Sequence, residues 1–578
     1  MRDYKSFYNE WLSDSYFDDE TKAELKRISD NDKEIEERFY TELEFGTAGL
    51  RGVIGAGTNR INKYIIRRAT QGLADYILKQ NNKDNAVAIA YDSRRMSPEF
   101  AMEAALTLAA NGIKAYKFES LRPTPELSFA VRKLNCIAGI NITASHNPPE
   151  YNGYKVYWQD GAQFTPPHDK GVAECVAAIK KLSEAKTISL EEAQKKGLYE
   201  EIGKAIDDDY IANVKAQVLS PQAIEKEGDK LKIVYTPLHG TGNIPVRRVL
   251  DELGFKNVYV VKEQELPDGE FPTVSYPNPE DKAAFKLALK LAEEKAADIV
   301  LATDPDADRL GVYVKDTKSG EYKALTGNMS GSLLCEYVLA RRKEKGLIPE
   351  DAEVIKSIVT TNLVDAVAEN YNCRLVEVLT GFKWIGRHIL ENEKNQKGSY
   401  MFGFEESYGC LIGTYARDKD AVSASVALCE AAAYYMTQGK TLWDAMLDMY
   451  EKYGYYKDGV KSLSLSGIEG REKINNIMKN FRQEVPEKIG NMKINYVRDY
   501  AEGKIIDKST GNSMPSNLPP SDVVYYDCED GTWICVRPSG TEPKIKFYFG
   551  VKGSTCEDMI KRSEALEADI DKKISASE

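Results

Sequence analysis

The run "AVAIAYDSR" (86–94) followed by "SPEFAMEAALTLAANG" constrains the fold more than any other stretch of this chain. The first part is apolar at successive positions, as a strand covered on both faces must be. The second carries its own punctuation: Ser97 suits an N-cap, Pro98 the first helical position and Gly112 the stop. "IKAYKF" and "CIAGINITAS" then read as further strands. Strands alternating with helices call for an α/β layer around a mainly parallel sheet.

The pattern restarts at "LKIVYTPLHGTGNIPVRRVLDELGFKNVYVV" (231–261) and at "AEVIKSIVTTNLVDAVAENYNCRLVEVL" (352–379). Three serial α/β domains with mainly parallel mixed sheets follow, with no internal repeat strong enough to prove duplication. The last part, "DVVYYDCEDGTWICVRPSGTEPKIKFYFGV" and a terminal helix, reads as a separate α+β domain. The stretch 501–522, rich in Gly, Pro, Ser and Asn, reads as a surface loop. The segment before about residue 44 is charged and helical in pattern, its acidic face solvated. A chain of 578 residues has room for these parts. The expected domains are 1–205, 206–325, 326–455 and 456–578.

Composition excludes several functions. A net charge of -12 argues against a nucleic-acid partner. Nine cysteines, an odd number without a CxxC pair, argue against a disulfide framework or a zinc site and for a cytoplasmic location. The N-terminal residues lack the apolar core of a signal peptide, and no apolar run is long enough to span a membrane. Nothing in the sequence calls for an obligate protein partner.

Four loops carry residues suited to chemistry. "TASHNP" (143–148) sets Ser145 beside His146 at the end of a strand. It does not read GxSxG, so a hydrolase elbow is not indicated. A phosphate carrier and a turn capped by Ser and Asn both remain open. In "LATDPDADRLGVYV" (301–314), Asp304, Asp306 and Asp308 alternate after an apolar strand. Carboxylates so close need a cation, and hard oxygen ligands suit magnesium. An EF-hand fails because Arg309 and Lys315 stand where glycine and glutamate belong. Arg309 adds a phosphate donor. In "GFEESYG" (403–409), Glu405 and Ser407 are alternate residues able to read sugar hydroxyls. In "RPSGTEPKIKFY" (537–548), Arg537, Ser539, Thr541 and Lys546 surround Gly540 as a phosphate cradle. "GKT" (439–441) lacks the earlier glycine of a P-loop and sits on a helical pattern, and "HGTGNIP" (239–245) reads as a plain βα turn.

Together, and in this order, "GTAGLRG", "TASHNP", "DPDADR", "FEESYG" and "RPSGTEPKIK" resemble the α-D-phosphohexomutase superfamily, in particular its phosphoglucomutase branch, which includes phosphopentomutases. The resemblance implies four domains around a central cleft. It also implies interconversion of glucose 1-phosphate and glucose 6-phosphate through a phosphoserine at Ser145 and a glucose 1,6-bisphosphate intermediate. One Mg2+ per chain would be held by Ser145, Asp304, Asp306 and Asp308. Arg51 and Lys155 would sit near the serine, with His146 supporting its loop. Thr380 and Gly381 would touch the sugar. Lys419 would contact substrate and carry a proton, its pKa lowered by arginine-rich surroundings. Ala307 stands where many relatives have glycine, a small change unless positive φ is required there. Other sugar phosphates (pentose, mannose, glucosamine) and bisphosphate synthesis are the alternatives within the family; a magnesium phosphatase and a non-catalytic sugar-phosphate binder are the alternatives outside it.

Overall fold

The computed structural model describes residues 3–46, 49–80, 85–465, 467–539 and 544–576, with 467–469 as backbone only. Two compact units result: residues 1–325 with 385–396 and 408–441, and residues 326–384 with 397–407 and 442–578.

The first unit holds two mixed sheets. In one, β1 (Leu50–Val53), β2 (Ala86–Tyr91), β3 (Lys114–Phe118), β4 (Ala138–Ile142), β5 (Tyr151–Trp158) and β6 (Tyr199–Ile202) lie in the order β1-β5-β4-β2-β3-β6. Strands β6, β3, β2 and β4 run parallel; β5 runs antiparallel to β4, and β1 antiparallel to β5. β2 and β4 are buried along their whole length, as their unbroken apolar sequence requires. In the other sheet, β7 (Lys232–Thr236), β8 (Asn257–Val260), β9 (Ile299–Thr303), β10 (Leu310–Lys315) and β11 (Tyr322–Leu325) lie in the order β11-β10-β9-β7-β8.

Each sheet has a topological switch point. The chain leaves β2 for β3 on one side and comes back to β4 on the other; likewise it leaves β7 for β8 and comes back to β9. Loops diverge from the carboxyl ends at these places and leave a crevice. Ser145 lies just beyond β4, and Asp304 directly follows β9.

In the second unit, β12 (Ala352–Ser357) lies between β13 (Arg374–Val378) and β14 (Ser399–Glu405), all parallel. A short β15 (Gly409–Leu411) belongs to the first unit. The C-terminal sheet is antiparallel and is built from β16 (Tyr455–Ser464), β17 (Lys488–Ile489), β18 (Met492–Asp499), β19 (Lys504–Asp507), β20 (Ser513–Pro515), β21 (Val524–Cys528), β22 (Trp533–Pro538) and β23 (Lys544–Gly553). Its face buries Tyr525, Trp533, Cys535 and Tyr548 together with Ile358, Val359 and Leu379.

Several local expectations are corrected. The helix Ser97–Ala110 starts at Ser97, not after it, and Met96 at φ 64° takes the cap position. Asp92 explains the shift, because its buried carboxylate takes the Ser97 hydroxyl at 2.9 Å. Gly112 does stop that helix, at φ 75°. The stretch 501–522 is not a plain loop, since β19 and β20 pair within it. "GKT" lies in the turn between the helices Ala421–Met436 and Leu442–Tyr453, with Gly439 at φ 70°. The acidic face of the N-terminal helices is partly tied down, Glu24 and Glu34 both pairing with Arg38.

Candidate active site

In the first unit the two switch points meet. The Ser145 hydroxyl donates to Oδ2 of Asp304 at 2.7 Å, and the Nδ1 of His146 lies 3.3 Å from Oγ of Ser145. Thr124 opens the helix Thr124–Lys133 beneath Asp306; its N–H donates to the Asp306 carbonyl at 2.9 Å and its hydroxyl to Oδ2 at 3.0 Å. Asn141 on β4 donates to that hydroxyl at 2.8 Å. One carboxylate oxygen from each of Asp304, Asp306 and Asp308 lies within 4.8 Å of the others, and all three side chains are buried. Oδ1 of Asp306 and Oδ1 of Asp308 have no hydrogen-bond partner among the described residues. Buried carboxylate oxygens left this way are costly, and a divalent cation is the group that fits them.

Lysines close the cluster. Lys155, on β5 opposite Asn141, reaches Asp306 at 2.8 Å and Asp308 at 3.7 Å. Lys419 pairs with Asp308 at 3.2 Å and with Asp418 at 3.1 Å. Asp308 and Asp418 thus set carboxylates beside its ammonium. Tyr157 donates to Asp418 at 2.9 Å and holds it in place. Arg51 donates to Asn147 of the serine loop at 2.9 Å. Arg309 is less free as a phosphate donor than its sequence position implies, because Nη1 is engaged by Glu280 at 2.5 Å.

The charges follow from this packing. Burial, and then Asp306 and Asp308, push the Asp304 carboxyl well above its ordinary range. Burial would raise Asp306 too, but Lys155 and the hydrogen bonds it receives hold it low. Burial, Arg309 and Arg51 push the His146 imidazole well down, so it is neutral near neutral pH. Lys155 loses by burial and gains more from Asp306 and Asp308, which raises it.

Ala307 lies in this loop at φ 49°, fully buried. The positive φ that would make alanine a costly replacement for glycine is thus required here.

The second unit carries the other expected residues. Glu405 ends β14 and accepts the N–H of Gly381 at 2.7 Å; Gly381 is at φ 115°. Oγ1 of Thr380 is buried with no hydrogen-bond partner among the described residues. Strand alternation ends at Glu405 and the chain turns through 406–408, so Ser407 is not placed by the β pleat. Arg537 and Lys546 are direct cross-strand partners on β22 and β23. Like charges placed opposite each other repel, and an anion relieves that repulsion. The N–H of Ser539 is used in closing the hairpin, on the carbonyl of Lys544 at 2.7 Å. Gly540 and Thr541 lie outside the described residues. Burial, Glu406 and Glu405 raise the Tyr548 hydroxyl, offset in part by Arg537. The 403–409 loop and the strand carrying Arg537 thus act on one tyrosine.

Sequence reasoning missed the residues behind the site: Asp92, Arg94, Thr124, Asn141 and Asp418. For Asp92 and Arg94 a signal existed, since "YDSR" puts a charged pair at the carboxyl end of a wholly buried strand.

The phosphoglucomutase/phosphomannomutase family models match the chain in order: alpha/beta/alpha domain I at residues 42–183, domain II at 208–320, domain III at 326–453 and the C-terminal domain at 481–560. Phosphoglucomutase of Staphylococcus aureus (strain USA300) is 37% identical over 547 residues, 94% of this chain and 96% of that protein. Phosphoglucomutase of Staphylococcus haemolyticus is 38% identical over 91% of this chain and 93% of that protein. In fold, the chain is similar to the open form of the Paramecium phosphoprotein pp63/parafusin, a phosphoglucomutase, with a TM-score of 0.68 at 18% identity over 93% of this chain and 95% of that one. Among the described residues no helix is long and apolar enough to cross a membrane. Family models that cover most of the chain in order, with close relatives along nearly its whole length, establish that this protein belongs to the phosphoglucomutase/phosphomannomutase family, enzymes that are phosphotransferases of the isomerase class.

Proposed function

We propose that the protein is a phosphoglucomutase that interconverts glucose 1-phosphate and glucose 6-phosphate, with Ser145 as its phosphate carrier. The observation that carries this reading is the Ser145 hydroxyl, held 2.7 Å from a buried aspartate of a three-carboxylate cluster. Ser145, Asp304, Asp306 and Asp308 are the residues that would hold Mg2+. When bound, the ion supplies charge neutralisation for the transferring phosphoryl group and for the carboxylates around it.

The chain's own residues have the following roles. Phospho-Ser145 donates its phosphoryl group to the free hydroxyl of the sugar monophosphate, giving glucose 1,6-bisphosphate, and recovers the other phosphate from that bisphosphate. Lys155 compensates charge beside the serine. Arg51 holds the outer edge of the loop through Asn147, and neutral His146 supports it from the side. Lys419, fixed by Asp308 and Asp418, moves the proton of the reacting sugar hydroxyl. Glu405, Ser407, Thr380 and Gly381 read the sugar. Arg309 assists with the phosphates near the metal cluster. Arg537, Ser539, Gly540, Thr541 and Lys546 hold the phosphate that is not reacting. The expected boundaries near 205, 325 and 455 would give each domain one of these loops.

A coupled assay across glucose, mannose, glucosamine and ribose 1-phosphates, with Mg2+ and glucose 1,6-bisphosphate supplied, tests the reading. Fastest turnover of glucose 1-phosphate with phosphate on Ser145 supports it. Preference for ribose 1-phosphate would reassign the substrate, and phosphate release faster than isomer formation would reassign the reaction.

A further inference from the structure

We propose that Arg94 is a positioning residue for phosphoryl transfer: from behind the 145–151 loop it fixes the backbone of Ser145 so that Oγ faces the carboxylate cluster. The proposal rests on Ser145 being the carrier.

The Arg94 side chain is wholly buried. Its Nη2 donates to the carbonyl of Ser145 at 2.6 Å and to that of Asn147, and its Nη1 donates to the carbonyls of Pro148 at 2.8 Å and Tyr151 at 3.0 Å. One guanidinium therefore ties down four carbonyls of a single loop. Its Nε faces Oδ2 of Asp92 at 3.3 Å. That same oxygen takes the Thr143 hydroxyl at 2.6 Å, and the Thr143 oxygen takes the N–H of Ser145 at 2.8 Å. The links close into a ring, Arg94–Asp92–Thr143–Ser145 and back to Arg94. Ser145 is gripped at both its N–H and its C=O.

The grip has something to oppose. Ser145 sits at φ 52°, a left-handed conformation that is unfavourable for a non-glycine residue. Strain of this kind persists only where the surroundings over-determine it. Phe271 covers the outer face of the guanidinium, 5.1 Å from its ring centroid, and is itself fully buried. Only a planar fork of donors satisfies this set of carbonyls; an ammonium cannot reach them all. Arg94 makes no contact with Oγ of Ser145, so its effect passes through the loop backbone.

The test is the rate at which dephosphorylated enzyme takes phosphate from glucose 1,6-bisphosphate onto Ser145, followed by rapid quench and intact mass, with steady-state kinetics alongside. Arg94→Lys should slow this transfer and kcat by about 10²-fold, as an ångström-scale misplacement does, with KM for the sugar phosphate little changed. Thr143→Val, which cuts the ring on its other side, should slow transfer by about tenfold, and Thr143→Ser should restore it. Transfer at the wild-type rate in folded Arg94→Lys overturns the proposal. So does equal slowing in Thr143→Val and Thr143→Ser, and the Thr143 pair decides the matter if Arg94→Lys does not fold. Wild-type enzyme that never takes phosphate on Ser145 would instead remove the carrier reading itself.

Discussion

Ser145 and Asp304 come from two different sheets of the first unit, yet the serine hydroxyl donates to the aspartate at 2.7 Å. Each follows the carboxyl end of a strand at a switch point, and the helix starting at Thr124 bridges them by binding Asp306. A hydroxyl aimed at a carboxylate cluster supports the proposed phosphoryl transfer over a role as a turn cap.

Ser145→Ala should remove phosphate from the purified protein and lower kcat by about 10³-fold or more, since the carrier is lost and only binding remains. Intact mass and a coupled assay with added bisphosphate check this. The wild-type rate in the variant would rule out the carrier role.

Asp306→Asn should lose metal affinity and most activity. It should also destabilise the fold by about 3 kcal/mol, because Lys155 is left buried with Asp308 alone at 3.7 Å. Metal titration by calorimetry and urea unfolding measure the two effects separately. Full activity in excess chelator would contradict the metal assignment.

Glu405→Gln keeps an acceptor for the N–H of Gly381 but removes the charge proposed to read sugar hydroxyls. Discrimination among glucose, mannose and ribose phosphates should fall by about 1–3 kcal/mol. Unchanged relative values of kcat/KM would count against this reading.

Arg537→Ala relieves the repulsion with Lys546 across the ladder, so folding stability should hold or rise slightly. Affinity for glucose 1-phosphate and glucose 6-phosphate should fall together, while Ser145 still carries phosphate. Weakening of one isomer alone would mean that the loop is not a shared cradle.

Glu126 supplies a pH dependence. Burial, and then Asp207, push its carboxyl well above the ordinary glutamate value; Arg122 opposes this and Asp420 adds to it. The proton is bound more tightly in the folded state, so this contribution to stability is complete below the unfolded value and is lost as pH rises through the folded one. Wild-type stability should therefore decline towards alkaline pH, and Glu126→Gln should flatten that decline. Urea midpoints across the range give the comparison; an identical slope in both proteins would exclude Glu126 as the source.

The sequence alone determined the strand-and-helix alternation, the separate C-terminal domain and the four loops. Those signals are local: unbroken apolar runs such as 86–91, glycine stops such as Gly112, and carboxylates crowded as closely as Asp304, Asp306 and Asp308. Only the tertiary structure decided which residues hold the loops in place. Asp92 meets Thr143, Thr124 meets Asp306, and Asp418 meets Tyr157 across long stretches of chain, with no local pattern to announce the partner. Backbone conformation was hidden for the same reason. Ser145 and Ala307 adopt positive φ, which an L-residue does not choose by its own preference and which surrounding contacts must impose.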